Sequence, residues 1–259
     1  MPSAQRSLGR SAAPARSTSY FSVSRSHRYS ILFALPLLIG YEALAALLAE
    51  PGKAELRNGA DALLRAVFLG VAGAHGSALF IGVISLIGVG LVVRDLRASR
   101  DRFRPIIFLG MLGEAAAVAI AFGFVIGLAT AKLLGTLHVL AITQGPLQQT
   151  TWTTRLMLSL GAGLYEELFF RVLLVTGLAA AARIVLGAGR RTAGIVATLV
   201  GAFIFSAFHY IGPYGDPFQV QSFVFRMLSG IAFSGLYLLR GFGITAWSHA
   251  LYDAFLLLA

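Results

Sequence analysis

Long apolar runs constrain this chain more than any other feature of its sequence. A helix needs about 20 apolar residues to cross the hydrocarbon core of a bilayer, and several runs reach that length in a chain with 57% hydrophobic residues and a mean hydropathy of +0.79. None of them alternates apolar and polar residues as barrel strands do. We therefore predict an all-α, polytopic membrane helix bundle with about seven transmembrane helices, in the range six to eight. The predicted spans are residues 31–49, 67–93, 106–135, 156–186, 193–211, 220–239 and 243–258.

The charge distribution predicts how the bundle is oriented. The net charge is +10, and in a membrane protein such an excess of arginine marks cytosolic loops rather than a nucleic-acid surface. The basic links at residues 94–104 and 183–191 are therefore assigned to the cytosol, together with a disordered, Ser- and Arg-rich tail at residues 1–29. Arginine far outnumbers lysine, which is typical of GC-rich bacterial genomes. The expected location is a bacterial inner (plasma) membrane, with a cytosolic N-terminus and membrane lipids as partners.

A few ionisable residues lie inside the predicted spans. A charged side chain at the centre of a span costs about 2.5–3.5 kcal/mol on insertion scales, so it normally faces the bundle interior. Glu42, His75 and Glu114 are isolated and are interpreted as structural, and Arg226 is expected to extend its charged end to the interface. The other six form three groups at helical spacing: Glu166, Glu167, Arg171, His209, His249 and Asp253.

The spacing within these groups predicts different roles for the two adjacent glutamates. Glu167 and Arg171 are four residues apart on one helix face and can form an ion pair, whereas Glu166 points about 100° away. The carboxylate of Glu167 is thus neutralised, and that of Glu166 is left free. FSAFH supplies His209 on a neighbouring span, and HALYD supplies a second imidazole with a carboxyl group on its own face.

Together these groups are suited to proton transfer on water. Burial in an apolar cavity makes a carboxylate a better general base, and a nearby imidazole can share the proton of the water. Glu166 and His209 are candidates for this step. A peptide carbonyl attacked by water develops negative charge that needs preorganised donors, and His249 is a candidate for that role. The alternative interpretation is that all these groups only pair with one another and hold the bundle together.

Three motifs carry a resemblance to a known family. EELFFR, FSAFH and HALYD resemble, in order and in position on late membrane helices, the EExxxR, FxxxH and HxxxN/D motifs of the CPBP family, the CAAX protease and bacteriocin-processing (Abi) family of intramembrane proteases. The resemblance covers roughly residues 150–258. It implies CAAX-processing-like hydrolysis of a peptide or membrane-protein substrate, without nucleic acid as a partner.

The resemblance also implies a role for each motif residue. Glu166 and His209 would activate water, and His249 and Asp253 would form the oxyanion site. Glu167 and Arg171 would support these groups. The chain is accordingly divided into the tail at residues 1–29, N-terminal membrane helices at 30–150 and catalytic CPBP-like helices at 151–259.

The residue types of the candidate site bear on whether the protein requires a metal ion. Members of the family have often been labelled metalloproteases, and Glu and His are suitable ligands for Zn²⁺. The sequence contains no H-E-x-x-H helix and no cysteine, so we predict a glutamate-type mechanism without a cofactor. In the metal-dependent alternative the cofactor is zinc, and its ligands are Glu166, His209 and His249.

Two functions from other classes are also considered. A proton-coupled transporter would bury the same residue types, but no repeat relates the two halves of the chain. A non-catalytic bacteriocin-immunity membrane protein would keep the fold, but it has no need of a free buried carboxylate. The peptidase is therefore the favoured prediction.

Asp253 admits two roles, because the family motif allows Asn or Asp at its position. A protonated Asp253 would donate a hydrogen bond to the oxyanion, as Asn would. An ionised Asp253 would instead orient His249, as a carboxylate does in a catalytic triad. We favour the donor role.

Overall fold

The fold is built from helices. The structure, a computed structural model, describes residues 19–52, 55–98, 103–135, 150–212 and 215–258, and these residues contain no β-strand. The all-α prediction is confirmed. The helices are α1 (Tyr20–Ser24), α2 (His27–Leu48), α3 (Gly59–Ala72), α4 (Gly76–Ala98), α5 (Ile106–Leu134), α6 (Trp152–Gly161), α7 (Thr176–Val185), α8 (Arg190–Phe208), α9 (Val220–Arg240) and α10 (Phe242–Leu258), with a 3₁₀ turn at Gly73–His75 and a π-helical segment, Ala162–Val175, joining α6 to α7.

Six helical stretches are long and apolar enough to cross a membrane, by their length and composition. A seventh helix, α10, is also apolar but has only 17 residues. The prediction of a polytopic membrane protein is confirmed. The six stretches are His27–Leu48, Gly59–Ala98, Ile106–Leu134, Trp152–Val185, Arg190–Phe208 and Val220–Arg240.

The chain reverses inside the predicted span 67–93, so this span is wrong. The ring centroids of Phe68 and Phe80 lie 5.3 Å apart, whereas a continuous helix would separate residues 12 apart by about 18 Å. Gly73 permits the reversal because its φ is +54°, a region that glycine enters without steric cost. As a result α3 and α4 form a helical hairpin, and of the stretch Gly59–Ala98 only α4, with 23 residues, is long enough to cross a membrane.

Helix α10 lies at the centre of the bundle. It packs against α2, α5, α6, α9 and the π-helical segment. The π-helical segment approaches closely at Gly163, where an added Cβ would lie 2.3 Å from the carbonyl oxygen of Ala246. On the α2 side, Trp247 Nε1 donates to the carbonyl of Phe33 at 2.5 Å. These contacts place two of the three segments that carry the predicted site residues, the π-helical segment and α10, against each other.

Part of the predicted disordered tail is helical. Ser19 caps α1 by accepting a hydrogen bond from the backbone N–H of Ser22, and Tyr20 Oη donates to Glu114 at 2.6 Å. Burial, together with this hydrogen bond, raises the pKa of Tyr20 to about 12, so the phenol remains a donor. Arg240 forms an ion pair with Glu114 and donates to Ser24. Glu114 is thus structural, as predicted, while the tail at residues 1–18 lies outside the described residues.

Candidate active site

The π-helical segment carries both adjacent glutamates. Glu167 Oε2 lies 3.1 Å from Arg171 Nε, and both side chains are almost completely buried, at 0% and 1% exposure. The predicted contact across four residues is confirmed. The adjacent Glu166 faces other neighbours, so the sequence spacing separated the two carboxylates correctly. Segments of π-helix occur often at functional sites, where they redirect side chains.

Arg171 contacts aromatic rings in addition to Glu167. Its guanidinium carbon lies 4.4 Å from the ring centroid of Phe205 and 5.4 Å from that of Phe233. None of its side-chain nitrogens has a hydrogen-bond partner among the described residues. The favourable interactions of this buried cation are therefore the charge of Glu167 and the π-faces of the rings.

Glu167 also contacts His249, and the sequence spacing gave no sign of this second contact. Glu167 Oε1 lies 2.7 Å from His249 Nδ1 across 82 residues of sequence. The imidazole stacks on Phe233, with ring centroids 4.5 Å apart. Because a carboxylate only accepts hydrogen bonds, His249 donates its Nδ1–H to Glu167. The carboxylate consequently joins Arg171 to His249.

His249 and Asp253 lie together on α10. The distance from His249 Nε2 to Asp253 Oδ2 is 3.7 Å, which is too long for a direct hydrogen bond. With Nδ1 bound to Glu167, Nε2 is the imidazole nitrogen that remains available for chemistry. Asp253 is therefore close to that nitrogen without being its hydrogen-bond partner.

Glu166 lies between α3 and His209, which follows α8. Its Oε1 accepts a hydrogen bond from Asn58 Nδ2 at 2.8 Å, and its Oε2 is 3.9 Å from His209 Nε2. His209 Nδ1 lies 2.8 Å from the carbonyl oxygen of Phe205. A carbonyl only accepts, so the proton of the neutral imidazole is on Nδ1 and Nε2 carries a lone pair. Two acceptor atoms thus lie 3.9 Å apart, too close for a water molecule to fit on the line between them but close enough for one water beside them to contact both.

The exposed fraction of the side chain differs among Glu166, His209, His249 and Asp253. His209 and Asp253 are 24% and 30% exposed, whereas Glu166 and His249 are 9% and 7% exposed. The site is accordingly open on the side of His209 and Asp253 and closed behind the other two.

The remaining ionisable residues of the predicted spans are paired or peripheral. Glu42 binds Arg57 and accepts a hydrogen bond from Tyr165, and His75 lies exposed in the 3₁₀ turn. The contacts of Glu42 agree with the predicted structural role, and that of His75 stays a prediction. Arg226 does not simply extend to the interface, because it forms an ion pair with Asp216 in the segment after His209.

The zinc alternative depends on how the possible ligands are arranged. Among the described residues, no group of three or more His, Asp and Glu side chains is arranged to hold a metal ion. Glu167 accepts from His249 Nδ1, and the carbonyl of Phe205 accepts from His209 Nδ1. These contacts leave the Nε2 atom of each ring free, as in many metal-ligating histidines. The choice between a glutamate-type and a metal-dependent mechanism therefore stays a prediction.

Part of the chain matches a known protein family. Residues 148–255 match the family described as type II CAAX prenyl endopeptidase Rce1-like. The resemblance to the CAAX protease family is confirmed for this part of the chain. No curated protein and no solved structure matches the chain. We call residues 148–255 the Rce1-like segment.

The Rce1-like segment contains all six predicted site residues. The match supports a hydrolase of the CAAX endopeptidase type, acting on a peptide or membrane-protein substrate within an integral membrane protein. Asn58 lies outside this segment and was missed by the sequence analysis. A single asparagine between two predicted spans has no periodicity or spacing that would reveal its contact with Glu166.

Proposed function

We propose that this protein is an intramembrane endopeptidase of the glutamate type, in which Glu166 and His209 activate a water molecule. One observation carries the proposal: Glu166 Oε2 and His209 Nε2 face each other at 3.9 Å, and each can accept a hydrogen bond. A water beside the two atoms, at hydrogen-bond distance from each, could donate one hydrogen to each of them. The arrangement thus suits deprotonation of water by general base catalysis.

The reaction begins when the water oxygen attacks the carbonyl carbon of the scissile peptide bond. The C–O bond forms while the proton of the water passes to Glu166 or His209, and the carbonyl oxygen becomes an oxyanion. The same proton is then delivered to the amide nitrogen, and the C–N bond breaks. The products are a carboxylic acid and an amine, and no oxidant or co-substrate is required.

His249 and Asp253 are proposed to stabilise the oxyanion. His249 Nε2 is the free nitrogen of that imidazole, and Asp253 Oδ2 lies 3.7 Å from it. A proton on either group would provide a donor to developing negative charge. Glu167 already fixes the orientation of His249 through Nδ1. This contact supports the donor role of Asp253, because the orienting role is filled.

Orientation in the membrane is proposed from contacts at one end of the bundle. Arg28 lies 3.5 Å from Asp95, and the backbone N–H of Arg104 donates to Tyr29 Oη. The start of α2 and the basic link between α4 and α5 therefore lie at the same end. This agrees with a cytosolic location for both, in a bacterial inner membrane with the N-terminus in the cytosol.

Cleavage of defined peptides in proteoliposomes tests the proposal. The probes are a quenched fluorescent peptide with a farnesylated Cys-a-a-X end and the same peptide without the farnesyl group. We expect wild-type protein to cleave at least one of them, while Glu166→Gln and His209→Ala reduce turnover to background without loss of thermal stability. Equal turnover by wild type and Glu166→Gln would overturn the proposal. Proton flux without cleavage would support the transporter alternative.

The natural substrate class can be identified in cells. Membrane-peptide proteomics would compare cells that contain wild-type protein with cells that contain Glu166→Gln. Substrates should accumulate uncleaved in the variant, and their new termini should be absent. Sequences around those termini would show whether a prenylated cysteine is required.

A further inference from the structure

Asn58 forms a direct hydrogen bond with Glu166. It is the N-cap of α3, and its Oδ1 accepts from the backbone N–H of Ala60 at 2.9 Å. Its Nδ2 donates to Glu166 Oε1 at 2.8 Å. The backbone N–H can only donate, so the amide oxygen must face Ala60 and the amide nitrogen must face the carboxylate. The orientation of the amide is thus set by its two partners.

The surroundings of Asn58 hold its backbone and side chain in place. Its backbone N–H donates to Tyr41 Oη at 3.0 Å, and Tyr41 Oη donates to Asp61 Oδ2 at 2.8 Å. Asp61 in turn accepts from Arg65 Nε at 2.6 Å. Asn58, Tyr41, Asp61 and Arg65 are all buried. A buried polar network with its hydrogen bonds made is rigid, so Asn58 is a preorganised donor.

Close packing brings Asn58 next to the residues that lead into the π-helical segment. A Cβ added to Gly161 would lie 2.9 Å from the Cβ of Asn58 and 2.5 Å from the ring of Tyr41. Only glycine leaves room for the backbone before the π-helical segment to pass so near the start of α3. Glu166 is five residues further on and meets the amide there. The contact therefore depends on both parts of the chain.

We propose that Asn58 is a positioning residue for Glu166, a role that rests on the proposed peptidase function. With Oε1 held by Asn58, the Glu166 carboxylate cannot rotate freely, and Oε2 is left facing His209 Nε2. General base catalysis needs the accepting atom within hydrogen-bond reach of the water. Asn58 thus supplies, from outside the Rce1-like segment, the contact that selects which carboxylate oxygen acts.

The capping and positioning roles can be separated by substitution. Asn58→Ser keeps a good N-cap for α3, since Ser and Asn are similar at this position, but its hydroxyl is too short to replace the amide contact with Glu166. Asn58→Asp also keeps the cap but can no longer donate when ionised. Asn58→Ala removes both functions and measures the contribution of the cap. A purely capping role predicts wild-type turnover in the Ser variant.

Steady-state kinetics provide the first measurement. In Asn58→Ser we expect kcat to fall about 10- to 100-fold, the usual effect of removing a group that orients an active side chain, with KM and thermal stability unchanged. Asn58→Asp should lose at least as much activity above neutral pH, because an ionised carboxylate repels that of Glu166. Wild-type kcat in Asn58→Ser, with Glu166→Gln inactive, would overturn the positioning role alone.

Infrared spectroscopy provides a readout that does not depend on turnover. The carboxyl bands of Glu166 are obtained by subtracting the spectrum of Glu166→Gln from that of the wild type. We expect Asn58→Ser to shift these bands, because a hydrogen bond to Oε1 is lost. Unchanged bands would overturn the proposal whether or not the probes are cleaved. Shifted bands in a protein without peptidase activity would instead reject the proposed function and, with it, positioning for catalysis.

Discussion

Glu167 lies between a cation and an imidazole, with Oε2 3.1 Å from Arg171 Nε and Oε1 2.7 Å from His249 Nδ1. The carboxylate therefore has two effects that can be separated. It neutralises a buried guanidinium, and it fixes the orientation of a ring on another helix. Changes at this residue should affect both the stability and the activity of the protein.

Glu167→Ala and Arg171→Ala should each lower the free energy of unfolding by about 3–5 kcal/mol, because each leaves a buried charge without its partner. The double change Glu167→Leu, Arg171→Leu should be better tolerated than either single change. Its activity should nevertheless stay low, since His249 loses its acceptor. Thermal unfolding in detergent and peptide cleavage measure the two effects. A double variant no more stable than the single ones would contradict the ion-pair interpretation.

Asp253→Asn distinguishes the two roles of that residue. A carboxylic acid loses its proton as pH rises, whereas an amide keeps its N–H at every pH. If Asp253 is a donor to the oxyanion, the variant should retain activity and extend it to higher pH. The pH dependence of kcat in proteoliposomes is the measurement. A large loss at every pH would show that Asp253 and His249 work as a pair.

Chelators should leave peptide cleavage intact if the mechanism is of the glutamate type. Purified protein should then contain no stoichiometric zinc, and added Zn²⁺ should not raise turnover. Activity with and without a chelator, combined with elemental analysis, measures this. One tightly held zinc per chain, with activity lost on its removal and restored by its return, would establish the metal-dependent alternative.

Gly163→Ala tests the close approach of the π-helical segment to α10. The new methyl group would overlap the carbonyl oxygen of Ala246, and overpacking of this kind costs about 1–3 kcal/mol. Displacement of Glu167 from His249 should lower kcat as well. Gly177→Ala is a matched control on α7, where nothing lies within 4 Å of the added Cβ. Equal stability of the two variants would show that the backbones can separate without cost.

The sequence predicted those features that depend on local periodicity. Apolar run length gave the helical class, and the spacing of four residues gave the contacts of Glu167 with Arg171 and of His249 with Asp253. Run length failed at residues 67–93, because the chain reverses at Gly73–His75 and this turn is too short to interrupt the apolar run. The contacts of Glu166 with Asn58 and of Glu167 with His249 join residues 108 and 82 positions apart. Only the packing of the whole bundle determines such pairs.

The hydrogen bond from Trp247 to the carbonyl of Phe33 bears on how this protein can be recombined with its relatives. Trp247 is two residues before His249, and the neighbouring Gly243 donates its backbone N–H to Ser30 Oγ at 2.6 Å. Helix α10 is thus bound to α2 by hydrogen bonds. A chimera that exchanges only residues 148–255 would therefore pack most of α10 from a relative against the α2 of this protein, whose sequence is not matched to it. Exchanges that carry α2 along with the C-terminal helices should yield functional hybrids more often than exchanges of the C-terminal helices alone.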